Sequence, residues 1–312
     1  MKKPVKRPRK VIPFMGTVSA KQPKGADLAV FGAPHGTPYR GIDNRIHQKA
    51  PDAFRQAMHI DAPWLHHWDY DFDGPLLPDA SFKAIDLGNL ATKSAAGKLN
   101  RKLIETATRN ILASNAVPVM FGGDDSVPIP FLAGFTGQPA ITVLQIDAHI
   151  DWRMEREKEA QGFSSTMRRA SEMPHVWRIV QAGARGIGSA RAEEVEAAHH
   201  WGARIIPCRT IHHRGVNTVL EQIEPDSDCV ICLDLDVLDS GVMPAVAYPS
   251  PGGLSFVQVT DIIAGVAAKA RIAGFAMVEF APARDLNGTA AVTAARIAAH
   301  VIGHVARRRP LG

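Results

Sequence analysis

The sequence predicts one doubly wound α/β domain with a mainly parallel sheet. Short runs of apolar, often β-branched residues alternate with amphipathic helical patterns along the 312-residue chain, and this alternation is typical of strands joined by helical crossovers. Several of the apolar runs show no polar alternation, which indicates parallel strands covered on both faces. The chain contains no internal repeat and no long polar linker that would divide it.

The predicted elements follow one another in that alternating order. The predicted strands are residues 27–32, 117–121, 141–146, 178–182, 204–206, 229–235 and 274–279. The predicted helices are residues 96–114, 191–201, 217–223, 256–271 and 290–306. Ligands of doubly wound sheets bind beyond the carboxyl ends of the strands. Functional residues are therefore expected directly after the predicted strands.

The composition predicts a soluble protein of the cytoplasm. An apolar fraction of 46% and a charged fraction of 21% argue against disorder and against a coiled coil. The best candidate for a membrane span, residues 262–278, is interrupted by Lys269 and Arg271, and the N-terminus lacks the apolar stretch of a secretion signal. The cysteines have no zinc-finger spacing, so we expect reduced thiols. They are Cys208, Cys229 and Cys232.

The net charge of +5 comes from the ends of the chain. Six basic residues lie within residues 2–10, and three more lie within residues 307–309. Without them the body of the chain is slightly acidic. Residues 2–10 include no aromatic residue for base stacking, so we predict no nucleic-acid binding. We also predict no membrane binding. We interpret residues 1–25 as a basic extension and residues 26–312 as a single catalytic domain.

Three predicted strands are each followed by an acidic cluster. The clusters are Asp124 with Asp125, Asp147 with His149 and Asp151, and Asp234 with Asp236 and Asp239. Burying one carboxylate costs several kcal/mol unless it is paired, so this many carboxylates at one sheet edge without matching arginines would be strongly destabilising. Divalent cations would supply the missing positive charge.

The spacing within the clusters supports a metal centre. Side chains two apart on an extended strand point to the same face, as in Asp234 and Asp236. A single Asp-x-Asp is more often a turn or a helix cap, but three clusters at strand ends favour metal binding. Oxygen-rich ligation with one imidazole favours Mn²⁺ over Zn²⁺, with Ni²⁺ as a further candidate. The number of candidate ligands favours two ions roughly 3.5 Å apart that share bridging carboxylates.

Two of these clusters, together with a third segment near the C-terminus, form motifs that resemble those of one known family. The motifs are Asp-Ala-His-Ile-Asp at 147–151, Asp-Leu-Asp-Val-Leu-Asp at 234–239 followed by Pro-Gly-Gly-Leu at 251–254, and Val-Glu-Phe-Ala-Pro-Ala-Arg-Asp at 278–285. With them the chain resembles the ureohydrolases, the arginases and agmatinases. The resemblance implies an arginase-like three-layer α/β/α sandwich, a binuclear manganese or sometimes nickel centre, and hydrolysis of a guanidino C–N bond. It also implies assembly as trimers or hexamers.

The resemblance assigns ligands position by position. It implies that one ion is held by Asp125, Asp147, Asp151 and Asp234, and the other by His149, Asp147, Asp234 and Asp236. Asp147 and Asp234 would bridge the two ions. Glu279 matches the family glutamate that pairs with the substrate's guanidinium, a role that charge-assisted hydrogen bonds of a carboxylate can fill.

Two positions depart from the family pattern at the expected site. The family usually has histidine where Asp125 stands, and an aspartate there adds negative charge. Phe163 stands where the family often has a proton-shuttling histidine, so we expect Asp151 or a water molecule to deliver the proton to the leaving amine. Phe163, Ser164 and Tyr248 are expected to line the substrate pocket together with Glu279. The aromatic rings predict a smaller or less polar substrate than arginine.

We therefore hypothesise a metal-dependent amidino hydrolase. A water acidified by two ions would attack the carbon of a guanidinium held by Glu279, with Asp151 passing the proton on. Candidate substrates are agmatine, guanidinobutyrate, guanidine, an alkylguanidine or a biguanide, with urea or a substituted urea and an amine as products. Two alternatives stay open. One is a weakly active or inactive subunit that supports a catalytic homologue in a hetero-oligomer, and the other is a different two-metal hydrolase such as a deacetylase.

Overall fold

The central feature of the structure is a parallel sheet that separates two apolar cores. A computed structural model describes residues 12–187 and 190–308. The strands are β1 Val18–Ser19, β2 Leu28–Ala33, β3 Ala84–Asn89, β4 Val117–Gly122, β5 Ile141–Ile146, β6 Val176–Ala182, β7 Arg204–Ile206, β8 Asp228–Asp234 and β9 Arg271–Val278. Within the described residues they form one sheet in the order β1-β3-β2-β4-β9-β8-β5-β6-β7. All neighbouring strands run parallel.

The helices cover both faces of this sheet. They are α1 Ala50–Ala57, α2 Gly97–Leu112, α3 Pro128–Ala133, α4 Thr166–Ala170, α5 Ala192–Trp201, α6 Cys208–Arg214, α7 Asn217–Leu220, α8 Phe256–Lys269 and α9 Thr289–Arg307. Successive strand residues point to opposite faces, so Leu144 packs in the core with Ile263 of α8. Its neighbour Val143 packs in the other core with Ile104 of α2. The predicted α/β class with a doubly wound parallel sheet is confirmed.

The sequence-based elements differ from the observed ones mainly in what they omit. Every predicted strand is present, β5 and β7 with the predicted bounds and the others with ends shifted by one to three residues, but β1 and β3 were not expected. β3 reads Ala-Ile-Asp-Leu-Gly-Asn and lacks a continuous apolar run. The helices α1, α3, α4 and α6 were also not expected, because each spans at most eight residues and is too short for a clear helical period. The predicted helix over 256–271 ends at Lys269, since Arg271 begins β9.

The described residues also bear on the predictions about membrane spans and about the cysteines. None of the helices in this part of the chain is both long and apolar enough to cross a bilayer. All three cysteines are free and buried. The basic residues within 2–10 lie outside the described residues. The cytoplasmic location and the domain boundary at residue 26 stay predictions.

The C-terminal helix α9 carries a histidine whose charge state depends on folding. The ring of His304 packs against Phe72, with 4.9 Å between ring centroids. Burial and, to a smaller extent, the neighbouring charges of His300 and Arg307 lower the pKa of His304 to about 4. The unfolded chain therefore binds more protons than the folded chain between the ordinary histidine pKa of about 6.5 and pH 4.

This difference predicts a loss of stability on acidification. Between about pH 6.5 and pH 4 the contribution of His304 to the melting temperature should fall, because protons bind preferentially to this histidine in the unfolded chain. His304→Gln should reduce that fall, as measured by thermal denaturation across the pH range. The matched control is His213→Gln, because His213 is exposed. Equal slopes for wild type and His304→Gln would contradict the prediction.

Candidate functional site

The carboxylates of the site come from loops that follow four adjacent strands in the centre of the sheet. Strands β4, β9, β8 and β5 are consecutive neighbours. Their register keeps their carboxyl ends level, because Phe121 is opposite Met277, Met277 is opposite Leu233, and Leu233 is opposite Ile146. The residues at this edge are Asp125 after β4, Glu279 after β9, Asp234 and Asp236 at the end of β8, and Asp147, His149 and Asp151 after β5.

Potential metal-ligand atoms at this edge form two groups that share one carboxylate. Oxygen or nitrogen atoms of Asp147, His149 and Asp236 lie within 4.8 Å of one another, and so do oxygens of Asp125, Asp147 and Asp151. Asp147 belongs to both groups. Asp147 would therefore serve as a ligand in either group if a divalent ion were held there.

Asp234 lies beside these groups without belonging to either of them. Its carboxylate oxygen Oδ1 accepts a hydrogen bond of 2.8 Å from the backbone N–H of Asp236, at the start of the short 3₁₀ turn that follows β8. Burial raises the pKa of Asp234 well above its ordinary value, and the charges of Asp236 and Asp147 raise it further. The side chain is thus part of the same negative field, and its expected bridging role stays a prediction.

The electrostatics of the site fit a cation. Burial raises the pKa of Asp125 and of Asp151 well above the ordinary range, and nearby carboxylates add to the effect. Burial disfavours a charged His149, yet its hydrogen bonds to Asp147 and Asp236 raise its pKa to about 12. In addition, Asp125 Oδ2 is buried and accepts no hydrogen bond from the described residues. An unpartnered buried carboxylate oxygen is suited to metal ligation, because a cation supplies the missing partner.

Two glutamines that the sequence did not single out orient the carboxylates. Gln145 Nε2 donates to Asp147 Oδ2 and to Asp151 Oδ2, both at 2.7 Å. Gln181 on the neighbouring strand β6 donates in turn to Gln145 Oε1 and to the Ile150 carbonyl. Both amides are buried. Such contacts fix the direction of a ligand side chain, and a glutamine near the carboxyl end of each mainly apolar strand was the available sequence signal.

The backbone is strained at two of the predicted catalytic residues. Asp151 has a φ of 43° and Glu279 a φ of 66°, in the left-handed region that residues with a Cβ rarely adopt. Such conformations cost about 1–3 kcal/mol each and persist where the surrounding structure holds them. Asp151 lies in the loop after β5, and Glu279 directly follows β9. Both side chains belong to the acidic cluster, so the backbone strain accompanies the convergence of the carboxylates.

The carboxylate of Glu279 is held by two donors. Oε1 accepts a 2.8 Å hydrogen bond from the Asp125 backbone N–H, and Oε2 lies 3.2 Å from Nε2 of His47. Burial raises the pKa of Glu279 to about 7, while the charge of His47 is the strongest influence in the opposite direction. His47 was not expected from the sequence, because a single histidine in a polar loop carries no pattern.

A cavity of about 300 Å³ opens beside Glu279. It is lined in part by Phe163 and Tyr248, whose ring centroids are 6.4 Å apart. The ring of Phe163 also packs edge-on against Tyr39 at 4.9 Å. Ser164 is buried, and its hydroxyl is 2.8 Å from that of Tyr39. Two aromatic rings therefore form part of a cavity wall that also contains charged side chains such as Asp43 and Arg284, and Ser164 is held by Tyr39.

Comparison with known proteins assigns the family. A model of the arginase family matches residues 26–303. The chain belongs to the arginase family. Its sequence is 28% identical over 295 residues to the N(1)-aminopropylagmatine ureohydrolase of Thermococcus kodakarensis, covering 92% of this chain and 93% of that protein. It is also 28% identical over 288 residues to the agmatinase of Pyrococcus horikoshii, covering 91% and 94% of the two chains.

Solved structures show the same fold. The proclavaminate amidino hydrolase from Streptomyces clavuligerus superposes with a TM-score of 0.83 at 23% identity, covering 96% of this chain and 98% of that chain. The assignment to the ureohydrolases is thus confirmed, and with it a hydrolase that acts on C–N bonds of amidines.

The shared position of Asp147 predicts the pattern of metal binding in variants. Wild type should bind about two Mn²⁺ ions per chain. Asp147→Asn should lose both ions, because Asp147 belongs to both ligand groups, whereas His149→Gln should keep one. Bound manganese measured by mass spectrometry after dialysis tests this. Asp261→Asn, at an exposed position on α8, is the control, and an unchanged metal content of Asp147→Asn would contradict the prediction.

Proposed function

We propose that the protein is an amidino hydrolase with a two-ion centre, which cleaves the C–N bond of a small guanidine compound. The observation that carries the proposal is the position of the Glu279 carboxylate. It borders both the cavity and, through its hydrogen bond from Asp125, a ligand group for metal. A guanidinium bound to Glu279 would therefore present its carbon to the edge of the sheet where ions would be held.

The ligand set supports two divalent ions. Asp125, Asp147 and Asp151 would hold one, and His149 and Asp236 would hold the other together with Asp147, with Asp234 as a further ligand. When bound, such ions lower the pKa of a shared water to about 7. Oxygen-rich ligands with one imidazole favour Mn²⁺, with Ni²⁺ as the second candidate.

The protein's own residues would supply orientation and proton transfer. Glu279 would hold the planar cation by charge-assisted hydrogen bonds. Asp151, whose Oδ2 is fixed by Gln145, would accept the proton of the attacking water and pass it to the departing amine. Phe163 cannot carry a proton, so its place beside the cavity supports packing against substrate rather than proton transfer. The products would be urea or a substituted urea and an amine.

The cavity supports a small substrate with an apolar or short substituent. Its volume of about 300 Å³ is at the lower end of the range for ligand sites. Phe163 and Tyr248 offer aromatic faces, which suit alkyl groups and delocalised cations. Agmatine, guanidinobutyrate, guanidine, an alkylguanidine and a biguanide all stay candidates. The relatives named aminopropylagmatine ureohydrolase and agmatinase support guanidino compounds as the class.

A screen for urea release tests the proposal. The protein is incubated with each small guanidine after separate treatment with Mn²⁺ and with Ni²⁺. Glu279→Gln should lower kcat/KM for the best substrate by about 100-fold or more, because a neutral amide loses the charge-assisted hydrogen bonds to the cation. Its bound metal should stay unchanged, since Glu279 belongs to neither ligand group.

The control and the contrary outcomes separate the alternatives. Glu224→Gln is a matched change at an exposed position and should leave turnover unchanged. Guanidine hydrolysis that survives in Glu279→Gln would overturn the assignment of the substrate. Fewer than one ion per chain with no urea release would favour a supporting subunit of a hetero-oligomer. Amide hydrolysis without guanidine hydrolysis would favour a deacetylase.

A further inference from the structure

His47 is a buried histidine that contacts the carboxylate of Glu279, which is proposed to bind the substrate. The two residues are distant in sequence. His47 ends the short 3₁₀ turn Asn44–His47 and is 3% exposed. Its Nδ1 lies 2.9 Å from the Phe280 carbonyl oxygen, and its Nε2 lies 3.2 Å from Glu279 Oε2. Both ring nitrogens therefore face the β9 loop that carries Glu279.

The partners of the ring determine where its hydrogens lie. A carbonyl oxygen only accepts hydrogen bonds, so Nδ1 must carry a hydrogen toward Phe280. A hydrogen must also lie between Nε2 and Glu279 Oε2, since otherwise two lone pairs would face each other. The contact between His47 and Glu279 is thus a hydrogen bond between two buried side chains, and such a bond is stronger than one at the surface.

The two donors on Glu279 act on different oxygens. The Asp125 backbone N–H binds Oε1, and His47 binds Oε2. Each oxygen has a further lone pair, and a guanidinium binds a carboxylate best through two parallel N–H···O bonds in one plane. Fixing both oxygens holds that plane in one orientation before the substrate arrives. Without His47, Oε2 of Glu279 would lose the side-chain donor that contacts it in the structure.

We propose that His47 is a positioning residue, which holds the Glu279 carboxylate in the plane that accepts the guanidinium of the substrate. This proposal rests on the proposed function, in which Glu279 binds that cation. His47 belongs to neither of the two ligand groups for metal. Its effect should therefore appear in substrate binding and not in metal content.

The variants separate the hydrogen bond from the bulk of the ring. His47→Phe keeps an aromatic ring but removes both donors. It should raise KM for the best guanidine substrate by about 10- to 50-fold and change kcat by less than about threefold, because binding lost equally from the ground and transition states changes KM alone. His47→Gln, whose amide can still donate to Glu279, should stay within about fivefold of wild type in KM.

Two further measurements support this comparison. The dissociation constant of guanidinium chloride, measured calorimetrically with the Mn²⁺-treated protein, should rise in His47→Phe in parallel with KM. His300→Phe is the matched control, because His300 is also buried but contacts Asp71 and Phe256. If His47→Phe does not fold, His47→Asn replaces it, since its shorter amide can donate to Phe280 without reaching Glu279.

The outcomes distinguish failure of this inference from failure of the proposed function. An unchanged KM in a folded His47→Phe protein, or a fall in kcat at unchanged KM, overturns the positioning role while guanidine hydrolysis stands. No urea release by wild type overturns the proposed function instead. In that case crystal structures of wild type and His47→Phe decide the inference: a rotated Glu279 carboxylate in the variant supports it, and an unmoved carboxylate overturns it.

Discussion

Buried negative charge at the carboxyl edge of the sheet is the constraint on which the rest of the site depends. The neighbouring strands β4, β9, β8 and β5 end level with one another, so their loops bring carboxylates into a volume that excludes water. Burial raises the pKa of Asp125, Asp151 and Asp234 well above the usual range. A cation is the partner that stabilises such a set of oxygens, and the fold is arranged around that requirement.

The same constraint accounts for the local features around the carboxylates. The amide of Gln145, which is itself held by Gln181, holds the carboxylates of Asp147 and Asp151 in place, which limits the orientations that mutual repulsion would otherwise favour. Asp151 and Glu279 adopt left-handed backbone conformations, and the packed sheet beneath them stabilises the protein enough to tolerate that strain. The fixed orientation of the carboxylates, the strained backbone and the concentrated negative charge thus all follow from bringing these carboxylates together.

The residues proposed to select the substrate lie in the loops around the cavity and not in the strands. The cavity walls come from the loop after β2, which contains His47, and from the loops that carry Phe163 and Tyr248. Loops accept substitutions more readily than the strands that position the metal ligands. Under the proposed function, the edge of the sheet would therefore support one kind of C–N hydrolysis, and the loops would determine which guanidine compound fits.

The sequence by itself determined the elements whose signal is local. Apolar runs showed the central strands, and acidic residues two apart after them showed the candidate ligands, because strand periodicity is visible within a few residues. Only the tertiary structure decided the strand order, the polar strand β3, and the partners Gln145 and His47. His47 and Glu279 lie in distant parts of the chain and meet because crossovers bring their loops together. A contact of that kind depends on packing between elements, which no local pattern contains.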